Sequence, residues 1–310
     1  MSGSGTGQPG TTAETTSERM PESMPVVPIR HYGRWFSAVV VLCLLVLLVR
    51  AFAGSDIDYA VTRDFLTQEN ILRGALNTVI ISVSAQALGV ALGVLAAVMR
   101  LSRNPVTSGV SWLYIWFFRG TPVLVQLLIW YNLSLVFPVL SLPGVGEWQT
   151  NSVMTPFLAA LLGLGINEGA YMAEIVRAGI GSVDEGQTEA AQALGMPPAR
   201  TMRRIVLPQA MRVIVPPTGN EFINMLKTSS LAYAIQYPEL LQSAVRIYSN
   251  NLAVIELLFT ISVHYLVLTS VFSVMQYFVE RRFARGSRAT TSRDTLLRHL
   301  GRNLTFGRTR

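Results

Sequence analysis

Two ionisable residues, Glu168 and Lys227, stand inside long apolar stretches of this 310-residue chain. A charge placed in hydrocarbon is costly, so such groups face a water-filled cavity or a partner. Each has polar company at helical spacing. Asn167, Tyr171 and Glu174 recur at i, i+4 and i+7, which puts them on one helix face beside Glu168. Asn220, Asn224 and Lys227 recur in the same relation, with Glu221 and Thr228 adjoining. Two polar stripes on successive helices predict a wet central pathway. In it Glu168 could meet the ammonium of a zwitterion and Lys227 its carboxylate. A second reading stays open, in which Glu168 and Lys227 pair with each other or with backbone ends. Glu174 and Arg177, three apart, predict a local ion pair, and His264 a hydrogen bond within its own bundle.

The elements that must hold these stripes are membrane helices. Hydrophobic residues make up 50% of the chain and charged ones only 14%, against about 25% charged in a soluble domain. A span needs about 20 apolar residues to cross roughly 30 Å of hydrocarbon. Residues 35–53, 76–99, 122–137, 156–180, 214–235 and 252–279 qualify, predicting an all-α integral membrane fold of six spans. Gly89 and Gly93 form a G-x-x-x-G pair suited to close helix packing in lipid. Arg119-Gly120-Thr121-Pro122 reads as a sharp elbow, with Thr121 capping the next helix and Pro122 in its first turn. Residues 1–34 are rich in Gly, Ser, Thr and Pro and read as a disordered tail; residues 286–310 form a basic tail in which a membrane-surface helix is one option.

Charge sets the expected orientation. With the N-terminus inside, twenty arginines fall in inner segments and four in outer ones, so both termini and the loop around residue 189 are expected in the cytoplasm. The net charge of +7 is thus a topology signal, and no nucleic-acid partner is expected. A lone Cys43 and three scattered histidines, His31, His264 and His299, predict neither a disulfide nor a metal site.

The loop from Gly181 to about Val213 is the most informative. Asp184 and Gln187 fit a capping box opening a helix over 185–194, which Gly195 ends in left-handed conformation. Pro197 or Pro198 opens a second helix through Arg200, Arg203 and Arg204. Pro208, Pro216 and Pro217 are expected to break the chain before the fifth span. The small residues Ala190, Ala191 and Ala193 would let another protein's backbone approach closely.

Glu189-Ala190-Ala191, three residues, Gly195, nine residues, Ile205, one residue and Leu207-Pro208 resemble the EAA loop of ABC importer permeases at every fixed position. Phe118-Arg119-Gly120-Thr121-Pro122, Gly169 to Ile175, Leu207 to Ala210 and Leu226 to Leu231 resemble the polar amino-acid branch of that family. The similar stretch covers roughly residues 70–283. One departure is Thr228, where the family often has Asp.

The resemblance implies a type I importer permease whose loop, through Glu189, Ala190, Ala191, Gly195, Ile205, Leu207 and Pro208, couples to a separate ATPase. It also implies a second permease subunit, the same or related, and an extracytoplasmic binding protein that delivers substrate. The chain has one lysine, Lys227, and no G-x-x-x-x-G-K-[ST] around it, so ATP is expected to be used by the partner and no cofactor by this chain. The rival readings are a permease for another small solute, and an ion-driven carrier with Glu168 and Lys227 as ion sites.

Overall fold

The computed structural model describes residues 32–54, 58–142 and 146–283; of the expected tails at 1–34 and 286–310, residues 1–31 and all of the second lie outside the described residues, while residues 32–34 open the first helix. The chain divides into two units at residue 56. The first unit contributes one helix, α1 (Tyr32–Ala53), dense in Val and Leu, in which none of the side chains from Phe36 to Ala53 is buried.

The second unit opens with α2 (Tyr59–Leu66), whose first turn is capped by Asp58 Oδ1, accepting from Ala60 N and Val61 N. The long helix α3 (Glu69–Arg100) follows, then α4 (Pro105–Gly120) and α5 (Val123–Tyr131). A two-stranded antiparallel hairpin, β1 (Val139–Leu142) and β2 (Gly146–Gln149), and a single turn, α6 (Thr150–Val153), lead into α7 (Pro156–Gly181). Two short helices, α8 (Glu185–Ala193) and α9 (Pro198–Thr201), precede α10 (Leu207–Thr228). A 3-10 stretch at Ser229–Ile235 leads to α11 (Leu240–Asn251) and α12 (Val254–Phe283).

Helices α1, α3 and α12 are each long and apolar enough to cross a membrane, and α4 with α5 form a pair bent by 101°. Helices α7 and α10, which carry the ionisable residues Glu168 and Lys227, are not among them. The expected third span over 122–137 is not one helix: α5 covers nine residues, followed by a 3-10 turn at Leu133–Leu135. At about 1.5 Å per residue, α5 alone is too short to cross the bilayer.

The centre of the second unit is the pairing of α3 with α7. In lipid, helices associate through close van der Waals packing rather than hydrophobic exclusion, so small residues at the contact matter most. Gly89 lies against Glu168 and Gly93 against Met172; reciprocally, Gly165 receives Leu88 and Gly169 receives Leu92 and the Tyr114 hydroxyl. Glycines at the same i, i+4 spacing on both helices let the two backbones meet along one seam. Around it pack Ile81, Ala85, Leu127, Ala159, Ala160 and Leu164, all buried.

Three local expectations need correction. Pro216 and Pro217 do not break the chain; both lie inside α10. Each proline removes the N–H that would bond the carbonyl four residues before it, at Arg212 and Val213, and the helix runs on past both. Thr218 Oγ1 donates to the Ile214 carbonyl (2.8 Å) and Gln276 Nε2 of α12 to the Pro216 carbonyl (3.2 Å). Pro208 is accommodated because the preceding residues, Met202–Val206, are wound as a π-helix that joins α9 to α10. At the elbow, Pro122 rather than Thr121 is the N-cap position of α5, and Thr121 Oγ1 donates back to the Phe117 carbonyl (2.9 Å).

Candidate functional site

The elbow between α4 and α5 is fixed from beneath by a buried amide. Gln126 Nε2 donates to the Phe118 carbonyl (3.1 Å), the Thr121 carbonyl (3.2 Å) and Thr121 Oγ1 (2.8 Å). Asn167 Nδ2, from α7, donates to the same Phe118 carbonyl (2.7 Å). The chain reversal at Gly120 is therefore tied to the polar face of α7, and Arg119 is turned over the Tyr171 ring with its guanidinium carbon 5.1 Å from the centroid.

The elbow and the polar face of α7 border a cavity of about 810 Å³. Asn167, Glu168 and Tyr171 line it from α7, and Glu221, Asn224, Lys227 and Thr228 from α10. Arg119, Gly120, Thr121 and Pro122 close it at the elbow. Six of the seven pathway residues expected from sequence thus meet around one space. The seventh does not: Asn220 turns toward α12, where its Oδ1 accepts from Gln276 Nε2 (3.1 Å).

Glu168 and Lys227 are not an ion pair; among the described residues the ion pairs are Arg73–Glu69 and Arg177–Glu174. Glu168 is buried at 5% exposure and accepts a hydrogen bond from Gln86 Nε2 of α3 (3.3 Å). Lys227 is exposed and sits in the last turn of α10, beside the switch to 3-10 winding, rather than mid-helix as expected. Gln86 and Arg119 were not singled out as site residues from sequence. Gln86 did carry a signal, an amide one turn before Gly89 in an apolar helix. Arg119 reads from sequence only as part of the elbow motif and of the charge bias.

The expected Arg177–Glu174 pair forms at 2.6 Å, and His264 Nδ1 lies 2.8 Å from the Thr260 carbonyl in its own helix. A second cavity, of about 630 Å³, adjoins this end of α7; it is lined by Arg100, Trp112, Ile115, Trp116, Arg119, Gly120, Tyr171, Glu174 and Arg177.

The loop between α7 and α10 has the expected helix–turn–helix shape. Asp184 caps α8 by accepting from Gly186 N (2.9 Å). Gly195, at φ +73°, ends the helix: its N–H bonds the Gln192 carbonyl, and Met196 N–H bonds the Ala191 carbonyl. This pair of bonds is the Schellman motif, which needs a residue tolerant of positive φ. Glu189 and Ala190 are exposed, as are Leu207 and Pro208, while Ile205 is half-buried. Ala191 differs from expectation, since it is buried within its own chain at 4% exposure.

The model of the family described as "Binding-protein-dependent transport system inner membrane component" matches residues 89–285, from the α3–α7 seam through the loop to the end of α12. The chain belongs to this family. It is 44% identical to the arginine transport system permease protein ArgU of Corynebacterium glutamicum, over 88% of this chain and 87% of that protein. It is 38% identical to the probable amino-acid permease protein YxeN of Bacillus subtilis, over 67% of this chain and 88% of that protein. The crystal structure of an amino acid ABC transporter with histidines superposes with a TM-score of 0.64 at 36% identity, covering 74% of this chain and all of that one. As a family member the chain is an inner-membrane transport component, and its fold is that of a type I importer permease. Helix α1 lies before the residues matched by the family model.

Proposed function

We propose that this chain is the translocation subunit of an ATP-driven importer and that its cargo is a basic amino acid. The observation that carries the reading is the charge set lining the central cavity: the carboxylates of Glu168 and Glu221, the bases Lys227 and Arg119, and the amides of Asn167 and Asn224. A basic amino acid has two cationic ends and one carboxylate. Two carboxylates can take the ammonium and the cationic side chain, and one of the two bases can take the cargo's carboxylate. A neutral amino acid engages only one of the two carboxylates and leaves the other to a base of the cavity, whereas a basic one engages both. The arginine transport name of a 44% identical relative points the same way.

The arginine asymmetry supports six spans with both termini and the α8–α9 loop in the cytoplasm. There α8 would present Glu189 and Ala190 to a separate ATPase. Ala191 would set the seat of α8 on its own chain, Gly195 the turn, and Ile205, Leu207 and Pro208 the link into α10. A second permease subunit and an extracytoplasmic binding protein complete the assembly. ATP is spent by the partner, and transport proceeds by alternating access.

Reconstitution of the chain with its ATPase and binding protein tests the reading. ATP-dependent uptake of arginine or lysine is expected, and Glu168→Gln and Glu221→Gln should each reduce it by roughly tenfold or more, the loss of one charge-assisted contact. Uptake without ATP would favour the ion-driven carrier instead.

A further inference from the structure

We infer that the second cavity, at the Arg177 end of α7, is an exit chamber in series with the central one, and that the Arg119–Tyr171 contact is the partition between them. The inference rests on the reading of the central cavity as the amino-acid site. Three residues, Arg119, Gly120 and Tyr171, line both spaces. Between the two spaces, then, stand a guanidinium stacked on a phenol ring at 5.1 Å and a glycine that carries no side chain. Neither is locked in a core. Tyr171 is exposed and Arg119 is exposed, so both can rotate aside without unpacking the α3–α7 seam.

The two chambers differ in charge. The central one balances Glu168 and Glu221 against Arg119 and Lys227. The exit chamber sets the guanidiniums of Arg100, Arg119 and Arg177 against the single carboxylate of Glu174, which Arg177 already holds at 2.6 Å. A basic amino acid that passes the partition meets a wall of its own sign. Its side chain is repelled, while its carboxylate finds Arg100, which otherwise donates to Ser108 Oγ (2.7 Å). The chamber therefore holds the cargo weakly by its carboxylate and favours release over return. The indoles of Trp112 and Trp116, stacked at 6.0 Å, form its flank.

The experiment is carried out on the assembled transporter in inside-out vesicles, in a Cys43→Ser, Thr228→Cys background, because Thr228 lines the central cavity. The probe is a membrane-impermeant quaternary-ammonium methanethiosulfonate added from the cytoplasmic face, with ATP absent. Slow labelling is expected in this parent. Tyr171→Ala should speed it by roughly three- to tenfold, the range of a lost cation–π contact, and Tyr171→Phe, which keeps the ring face, should not. Arg119→Ala removes the same contact from the other side and should match Tyr171→Ala. Saturating arginine should protect the cysteine in the parent. Unchanged labelling in both alanine variants, with arginine still protecting, would overturn the partition while leaving the central site intact. Failure of arginine to protect the parent would overturn the central site itself, and the partition with it.

Discussion

Gly89 on α3 and Glu168 on α7 are packed so closely that a methyl group placed on the glycine would fall 2.5 Å from Cγ of the glutamate. The site's one buried carboxylate is therefore held by backbone contact, with the Gln86 amide as its hydrogen-bond donor. The same seam that joins the two helices also aims the acid into the cavity.

Substitution at this contact should be felt directly. Gly89→Ala requires Glu168 to move, because the methyl also meets the Gly165 carbonyl oxygen at 3.3 Å. Overpacking of this kind costs roughly 1–3 kcal/mol. The variant should unfold at lower temperature in detergent and lose substrate binding, whereas Gly109→Ala, with nothing within 4 Å, should change neither.

The elbow gives a second outcome. Gln126→Leu removes an amide donor shared by the Phe118 and Thr121 carbonyls and the Thr121 hydroxyl. Leaving buried acceptors unpaired costs about 1–3 kcal/mol. Proteolysis near Gly120 in native membranes should accelerate, and Gln126→Glu should not restore the wild-type rate, because a carboxylate brings no amide donor.

The loop between α7 and α10 separates two roles. Gly195→Val forces a β-branched residue into φ +73° and should disrupt the turn after α8. Ala190→Leu leaves the fold alone, since Ala190 is exposed, but adds bulk where the ATPase would sit. Both should lower ATP hydrolysis stimulated by loaded binding protein; only Gly195→Val should also lower the unfolding temperature. Normal stimulation in both would show that the loop is not the coupling element.

Glu239, between the fifth and sixth expected spans, supplies a pH dependence. It caps α11, accepting from Leu241 N (2.8 Å), Gln242 N (2.7 Å) and the Tyr265 hydroxyl (2.8 Å). Burial nevertheless outweighs these donors and pushes its pKa up to about 7 from 4.5. The folded state then binds the proton more tightly than the unfolded state. Its contribution to stability is full below pH 4.5 and is lost as pH rises through 7. The loss is on the order of 3 kcal/mol across that window. Thermal unfolding in detergent should show this decline, and Glu239→Gln should flatten it.

Much of the site was legible because charge in an apolar helix is rare enough to be read directly. Glu168 and the face it shares with Asn167 and Tyr171 follow from helical spacing, as do Glu221, Asn224 and Lys227. The resemblance at Glu189–Pro208 located the loop. What escaped depends on contacts between distant segments. Asn220 has the right spacing for the cavity, but Gln276, 56 residues away, draws it to α12. The same glutamine reaches the Pro216 carbonyl, and the proline pair that reads as a break sits within α10. Arg119 joins the site only because the chain bends by 101° beside it. Ala191 looked like a docking surface until the π-wound segment after α9 showed how the loop folds back on itself.

The central claim is that the cavity between α7 and α10 holds a basic amino acid through Glu168 and Glu221. Equilibrium binding of labelled arginine to the purified permease–ATPase complex, without binding protein, tests it most directly. The account predicts saturable arginine binding, displaced by lysine and not by glutamine. It predicts that binding weakens by roughly tenfold or more in Glu168→Gln at unchanged unfolding temperature, the cost of one charge-assisted contact. Equal displacement by glutamine, or undiminished arginine binding in Glu168→Gln, would contradict it.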